Sequence, residues 1–336
     1  MQPLKSLITT DIDFERNGFQ ASVLYVPYSH DRSAYGRIPI PIAVLKQGEG
    51  PTLLLTGGNH GDEYEGPVAL TKLMQRMLHM ELSGRLIVIP ALNFPAFVNG
   101  SRTSPIDKGN LNRVFPGKRN GSITEMIAHY VDTELVPRAD VILDLHAGGA
   151  SFDHLPTILA SLPEEAALHD RYIALVDAFG APTTLIMNLL GEDRTFCAAA
   201  ERRGKLFLCG EFGGGASCDL AGLQIVEDGI ARLLHRLGMT ETAPLQPSVA
   251  TRLQQVEGAS HYVFTPHGGV VEPSFSLGDW VEKGQLAGRL YDPQIPWEPP
   301  RELRFVGTGR VICARTLAKV EAGDCLAVLA SDTHWD

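Results

Sequence analysis

The stretch TLLLTGGNHG, residues 52–61, is a short apolar run that ends abruptly in glycine, asparagine and histidine. Similar runs recur at 85–90 (RLIVIP), 141–145 (VILDL) and 206–209 (LFLC). Continuous apolar runs of this length are typical of strands buried on both faces, as in a parallel sheet covered by helices. The four runs therefore predict the central strands of such a sheet.

Segments with helical spacing of apolar residues separate or follow these runs, at 67–80, 124–135, 164–179 and 220–237. The first begins with a proline suited to a first helical turn, and the last places its aliphatic residues on one face. Alternating strands and helices over residues 45–240 predict an α/β fold with an open, mixed but mostly parallel sheet covered by helices. Residues 1–45, with polar–apolar alternation near Ala21 to Val26, are expected to form a β-rich edge.

The composition changes near residue 240. Residues 240–251 (TETAPLQPSVAT) read as a linker, and short β-type runs separated by glycine turns follow it. GVVEP (269–273) and LGDWVEKGQ (277–285) resemble the hairpins of biotinyl/lipoyl-type barrel-sandwich domains. We therefore predict an α/β domain at 1–240 and, at 241–336, a linker with a small all-β domain.

Composition excludes several classes of protein. Lys and Arg total 29 and Asp and Glu total 39, a formal net charge of −10, and no basic cluster offsets it, so nucleic acid is not an expected partner. The five cysteines form no CxxC pair, which argues against a disulfide framework and a Cys-rich zinc site. With no long apolar run and no signal-peptide core, we expect a cytoplasmic protein without a membrane partner. Small molecules remain as the expected partners.

Polar residues follow the apolar runs where their strands should end. His60 and Glu63 follow the first run, His146 follows the third and Glu211 follows the fourth. Ligands of open α/β sheets collect outside the carboxyl ends of the strands. Two imidazoles and one carboxylate, with a position open to water, form the usual catalytic zinc set. His60, Glu63 and His146 are therefore predicted to bind one Zn²⁺ per chain, a ligand set that cobalt or manganese could also satisfy.

Glu211 is the candidate general base, because a carboxylate near a metal site can accept a proton from water and return it to a leaving nitrogen. Less specific interpretations stay open. His60 and His146 could be hydrogen-bonded core residues, and Glu211 could be a fourth metal ligand or part of a structural ion pair.

The motifs GGNHGDEYEG (57–66), NLNRVFPG (110–117), DLHAGG (144–149) and GEFGG (210–214) resemble those of the succinylglutamate desuccinylase/aspartoacylase family, relatives of the zinc carboxypeptidases. The resemblance covers residues 45–335, including the small C-terminal β region. It implies a zinc hydrolase of the amide bond in N-acyl amino acids. It also implies that His60, Glu63 and His146 bind the zinc and that Glu211 is the base.

The resemblance further implies a substrate-binding pair. Asn112 and Arg113 match the Asn-Arg pair that binds the substrate carboxylate in the family, and a planar guanidinium can bind a carboxylate through two parallel hydrogen bonds. Arg102 is the candidate for an upstream arginine that polarises the scissile carbonyl, although its spacing to Arg113 differs from that in several relatives. Its alternative role is that of a solvated loop residue. The family also implies a homo-oligomer.

The sequence of residues 57–70 and 102–117 is most similar to one branch of the family, the bacterial N-alpha-acetyl-L-2,4-diaminobutyrate deacetylases of ectoine degradation. This branch implies the release of acetate and L-2,4-diaminobutyrate. A substrate with a side-chain ammonium calls for a carboxylate in the pocket, and the sequence does not choose among four candidates, which are Asp62, Glu65, Glu192 and Asp193.

Three other hypotheses remain open at this stage. The chain could be a desuccinylase or aspartoacylase acting on another N-acyl amino acid, or a zinc carboxypeptidase acting on short peptides. It could also be a non-catalytic amino-acid-binding module, which the intact set of three ligands and a base disfavours.

Overall fold

The computed structural model describes residues 5–163, 165–186, 192–247 and 249–335. Its strands are β1 (Thr9–Thr10), β2 (Gly18–Pro27), β3 (Arg37–Gln47), β4 (Thr52–Gly57), β5 (Gly84–Ile89), β6 (Val141–His146), β7 (Phe152–His154), β8 (Thr157–Ala160), β9 (Thr183–Ile186), β10 (Leu206–Glu211), β11 (Arg252–Gln255), β12 (Tyr262–Phe264), β13 (Gly269–Pro273), β14 (Trp280–Val281), β15 (Leu286–Tyr291), β16 (Arg301–Arg304), β17 (Gly309–Arg315), β18 (Lys319–Val320) and β19 (Cys325–Asp332). Its helices are α1 (Glu65–Met77), α2 (Phe94–Asn99), α3 (Ile123–Tyr130), α4 (His169–Phe179), α5 (Phe196–Glu201) and α6 (Leu220–Arg236).

The four apolar runs form the centre of the main sheet. β5, β4, β6 and β10 lie side by side in parallel, and every residue of β4 and β6 is buried. β3 pairs antiparallel with β5, and β8 pairs antiparallel with β10. Beyond β8 the pairing is parallel again through β9 to β11. The predicted α/β class with a mixed, mostly parallel sheet is therefore confirmed for the region from β3 to β11.

The two faces of this sheet pack against different helices because successive side chains of a strand point to opposite faces. Leu55 and Leu143 share one hydrophobic core with residues of α1, α4 and α6. Ile142 and Phe207 share the other with residues of α3 and α5. By the same alternation His146 and Glu211 project from the face that α3 and α5 cover.

The helices differ from their predicted spans mainly at their ends. α1 ends at Met77, three residues before the predicted end, and the next turn is closed by hydrogen bonds from the backbone N–H of His79 to the carbonyl of Arg76 and from that of Met80 to the carbonyl of Met77. α3 begins at a capping box formed by Ser122 and Glu125, and its predicted second half continues as a π turn at 131–135. None of the described helices has both the length and the apolar composition needed to span a lipid bilayer.

The C-terminal strands form a small β region that is joined to the main sheet. β13, β15, β16 and β18 make a separate antiparallel sheet, while β11 links β9 to β19, β17 and β14. A third core lies between these strands and includes Val263, Phe305 and Leu329. The expected all-β fold is confirmed here, and the placement of a domain boundary near residue 240 stays a prediction.

Candidate active site

His60, Glu63 and His146 meet at the carboxyl ends of β4 and β6. Nδ1 of His60 lies 2.7 Å from Oε1 of Glu63, and Nδ1 of His146 lies 2.8 Å from Oε2 of the same carboxylate. All three residues are buried, and one candidate ligand atom from each lies within 4.8 Å of the others. The structure thus brings together the three residues that the sequence predicted as metal ligands.

The outer nitrogens of both imidazoles contact other side chains. Nε2 of His146 lies 2.8 Å from Oδ2 of Asp144, and Nε2 of His60 lies 3.2 Å from Oδ1 of Asn110. An Nε2–H that donates to its oxygen leaves Nδ1 as the nitrogen that would bind a metal, which is the arrangement that a metal ligand requires.

Neither of these two acceptor residues was predicted from the sequence to have a role in the site. Asp144 stands two residues before His146 on the same strand, so the two share a face, and this spacing could have identified it. Asn110 begins the NLNRVFPG motif and precedes the 3₁₀ turn, but the motif by itself did not indicate a contact with His60.

Asp144 is itself fixed by its surroundings. Its Oδ1 accepts a hydrogen bond from Thr56 Oγ1 at 2.6 Å, and its Oδ2 accepts one from Asn59 Nδ2 at 2.9 Å. Burial favours the neutral acid, but the charge of His146 and these hydrogen bonds outweigh it and lower the pKa of Asp144. His146 is therefore held by a rigid, ionised partner.

The residues present fit a divalent metal such as zinc. Two imidazole nitrogens and one carboxylate are the donors of many catalytic zinc sites. Burial raises the pKa of Glu63, but His60 and His146 outweigh it and bring that pKa well below its usual range, so the carboxylate is ionised as a ligand must be. No other group of three such side chains lies close enough to hold a metal among the residues that the structure describes.

Glu211 ends β10 directly beside His146, which is its partner in the parallel register. The residue keeps some solvent exposure, whereas its Oε2 atom is buried and accepts no hydrogen bond from a described residue. Burial and the negative charge of Glu63 raise the pKa of Glu211 to about 8. A cation held by the three neighbouring side chains would act in the opposite direction and favour the ionised carboxylate.

A cavity of about 310 Å³ opens beside these residues. Phe207 and Cys209 line it from β10, on the same face of the sheet as Glu211. Tyr262, from β12 of the C-terminal region, also lines it, and no local signal in the sequence pointed to this residue. The C-terminal region therefore contributes to the wall of the cavity.

The predicted polar residues line the same cavity. Arg102 Nη1 lies 3.4 Å from Nδ1 of His60 and 3.6 Å from Oε1 of Glu63. Asn112 and Arg113 lie on a 3₁₀ turn that is joined to α5, because Oδ1 of Asn112 accepts a hydrogen bond from the backbone N–H of Phe196 at 2.9 Å. The structure thus brings two guanidinium groups to the cavity, and that of Arg102 lies beside His60 and Glu63.

Comparisons with known proteins agree over most of the chain. The sequence model of one protein family, the succinylglutamate desuccinylase/aspartoacylase catalytic domain, matches residues 49–237. The N-alpha-acetyl-L-2,4-diaminobutyric acid deacetylase of Halomonas elongata is 43% identical over 329 residues, which are 98% of this chain and 96% of that protein.

Solved structures show the same similarity. A product-bound structure of the ectoine utilization protein EutE (DoeB) from Ruegeria pomeroyi has a TM-score of 0.93 at 38% identity, covering 98% of this chain and 99% of that chain. The succinylglutamate desuccinylase/aspartoacylase from Rhodobacter sphaeroides has a TM-score of 0.93 at 37% identity, covering 98% and 100%. The similarity therefore extends through the C-terminal strands as well as the α/β region.

Proposed function

The chain belongs to the succinylglutamate desuccinylase/aspartoacylase family, and from this premise we propose that it is a zinc-dependent amidohydrolase that converts N-alpha-acetyl-L-2,4-diaminobutyrate to acetate and L-2,4-diaminobutyrate. One observation carries the proposal. The buried His60, Glu63 and His146 lie beside Glu211, whose buried Oε2 has no described partner, in a cavity that also contains Arg113.

Different residues of the chain are assigned to metal binding and to proton transfer. His60, Glu63 and His146 would hold the zinc through the two Nδ1 atoms and the carboxylate. When bound, zinc polarises the amide carbonyl and lowers the pKa of a water ligand to about 7. Glu211 accepts a proton from the attacking water on its free Oε2 and returns it to the leaving nitrogen.

Two arginines are assigned to binding the substrate carboxylate and to stabilising the negative charge of the transition state. The guanidinium of Arg113 is partly exposed at the cavity and presents a planar fork to the substrate carboxylate, with Asn112 beside it. Arg102 lies beside the His60–Glu63 pair, which supports a role in stabilising the negative charge that develops on a carbonyl oxygen close to the metal ligands. We assign Arg113 and Asn112 to substrate binding and Arg102 to transition-state stabilisation.

The lining of the cavity favours a small, uncharged acyl group. Apart from Arg102 and Arg113, its described lining contains no lysine or arginine, and Leu159, Phe207 and Cys209 contribute uncharged surface to it. A succinyl group carries a distal carboxylate, which needs a further cation or hydrogen-bond donors to replace water. This arrangement supports deacetylation rather than desuccinylation.

The substitution Glu211→Gln tests the proposal. It keeps the shape of the side chain but removes the proton acceptor, so we expect acetate release to fall by about 100-fold or more while zinc content, measured by atomic emission, stays at the wild-type level. Near-normal turnover in a zinc-loaded variant would remove Glu211 from the mechanism.

A further inference from the structure

The sequence left four carboxylates as candidates for binding a substrate ammonium, and the structure separates them. Asp62 and Glu65 are buried away from the cavity lining, and each carboxylate accepts a backbone N–H at 2.8 Å. Asp193 is exposed and lies outside the lining. Glu192 alone among the four lines the cavity.

The other carboxylates of the described lining already have roles. Asp144 is bound by His146 and two neutral donors, and Glu211 lies beside the candidate metal ligands as the proposed base. Glu192 is therefore the carboxylate of the described lining that neither the metal site nor the chemical step uses.

Glu192 is an anion that accepts hydrogen bonds from Arg194. Nε of Arg194 donates to its Oε1 at 2.9 Å, and Nη2 of Arg194 donates to its Oε2 at 2.8 Å. These hydrogen bonds lower the pKa of Glu192 to about 2, so it is ionised at neutral pH. The backbone N–H of Arg194 also donates to Oε1, at 3.0 Å. A carboxylate offers about four lone-pair sites, so these three hydrogen bonds leave acceptor capacity for one further donor.

Glu192 also lies close to the proposed binding group for the substrate carboxylate. Its Oε2 is 3.7 Å from Nε of Arg113, which is longer than a hydrogen bond. Arg113 donates from Nη1 to the backbone carbonyl oxygen of Asn112 at 2.7 Å, so its other N–H groups and one acceptor site of Glu192 stay available for a ligand. The two groups present opposite charges side by side. In a 2,4-diamino acid the carboxylate carbon and the side-chain nitrogen are joined through three carbons and lie roughly 4–5 Å apart, given bonds of about 1.5 Å.

We infer that Glu192 binds the side-chain ammonium of the substrate while Arg113 binds its carboxylate, so that the pair selects N-acyl derivatives of short diamino acids. This inference rests on the proposed function and deepens it. Glu192 is then a specificity-determining residue, and an N-acyl amino acid of equal length without the ammonium loses this contact.

The test compares two substrates that differ in whether the side chain ends in an ammonium group. N-alpha-acetyl-L-2,4-diaminobutyrate and N-acetyl-L-norvaline have side chains of equal length, ending in an ammonium and a methyl group. Because a hydrogen bond to a charged group is worth about 1.5–3 kcal/mol, Glu192→Gln should lower kcat/KM for the charged substrate roughly tenfold or more. The value for the norvaline derivative should stay within about threefold of wild type by the same reasoning.

A control variant and a binding measurement complete the design. Asp193→Asn removes a neighbouring carboxylate outside the cavity and should leave both kcat/KM values unchanged. Equal losses for both substrates in Glu192→Gln would show that Glu192 only positions Arg113, and no loss would show that it does not touch substrate. Either result overturns the inference.

Calorimetric titration with L-2,4-diaminobutyrate and L-norvaline separates this inference from the proposed function. Wild type should bind the diamino acid more tightly, and Glu192→Gln should abolish that difference. If wild type released no acetate from either substrate but showed this Glu192-dependent preference, the proposed reaction would fail while the inference would stand. Equal affinity of wild type for both amino acids would refute the inference.

Discussion

The substitution Asp144→Asn tests the metal site through a residue that is not itself a ligand. Asp144 is 1% exposed, and its two oxygens accept hydrogen bonds from Thr56, Asn59 and His146. An asparagine of the same shape has only one acceptor oxygen. If its amide nitrogen faces His146, the tautomer with the proton on Nδ1 is favoured. If the amide nitrogen faces Thr56, the Thr56 hydroxyl loses its acceptor.

The size of the effect follows from the role of this contact. The proton on Nε2 of His146 leaves Nδ1 free toward Glu63, and losing an oriented partner of this kind typically costs 10- to 100-fold in metal affinity. At about 1.4 kcal/mol per tenfold change, the expected loss of zinc-binding free energy is about 1.4–2.7 kcal/mol.

Competition with a chromogenic zinc chelator measures this affinity directly. The matched control is Asp140→Asn, because Asp140 precedes the same strand, lies at its opposite end and accepts only the backbone N–H of Thr52, at 2.8 Å, among the hydrogen bonds described for it. The control should bind zinc as wild type does. If both variants bound zinc with wild-type affinity, the assignment of Nδ1 of His146 as a ligand oriented by Asp144 would be refuted.

Three further predictions address substrate binding, packing and pH. Arg113→Lys keeps the charge but loses the planar fork, so KM for the acetylated substrate should rise roughly tenfold with no change in melting temperature. Gly61→Ala would place a Cβ 2.0 Å from the backbone carbon of Ala96, so urea denaturation should show a loss of about 3 kcal/mol or more. Burial lowers the pKa of His154 to about 4. Between about pH 6.5 and pH 4 the folded protein therefore binds fewer protons than the unfolded chain. The free energy of unfolding should fall over this range as the pH is lowered, by up to about 1.4 kcal/mol per pH unit. His154→Gln should remove that part of the pH dependence, as measured by urea denaturation at several pH values.

Each of these predictions has an outcome that contradicts it. An unchanged KM in Arg113→Lys would exclude a bidentate contact with substrate. The control for Gly61 is Gly268→Ala, whose added Cβ would have its nearest neighbour at 3.4 Å, and equal stability of the two variants would contradict the packing argument. A wild-type pH slope in His154→Gln would show that His154 does not contribute to acid sensitivity.

The centre of the fold could be predicted because its sequence signal is local. A run such as LLL at 53–55, followed at once by glycines and His60, specifies both a doubly buried strand and a polar residue at its end. The parallel order of β4, β6 and β10 then brings His60, His146 and Glu211 to one edge without further information. The grouping of the candidate metal ligands was therefore accessible from the sequence.

Other features depend on contacts that no short stretch of sequence encodes. β8 and β9 have four residues each, too few to show a clear period, and the pairing of β9 with β11 joins segments that are far apart in the chain. The presence of Glu192 rather than Asp62 in the cavity lining, and the presence of Tyr262 there, also depend on tertiary packing. These parts required the structure.

Acetate release from N-alpha-acetyl-L-2,4-diaminobutyrate, measured with and without a metal chelator, tests the central claim most directly. We expect release by the zinc-loaded protein, loss of release after chelation and recovery when zinc is restored. Release that persists after complete removal of the metal would contradict the proposed mechanism. No release by protein with confirmed bound zinc would contradict the proposed substrate.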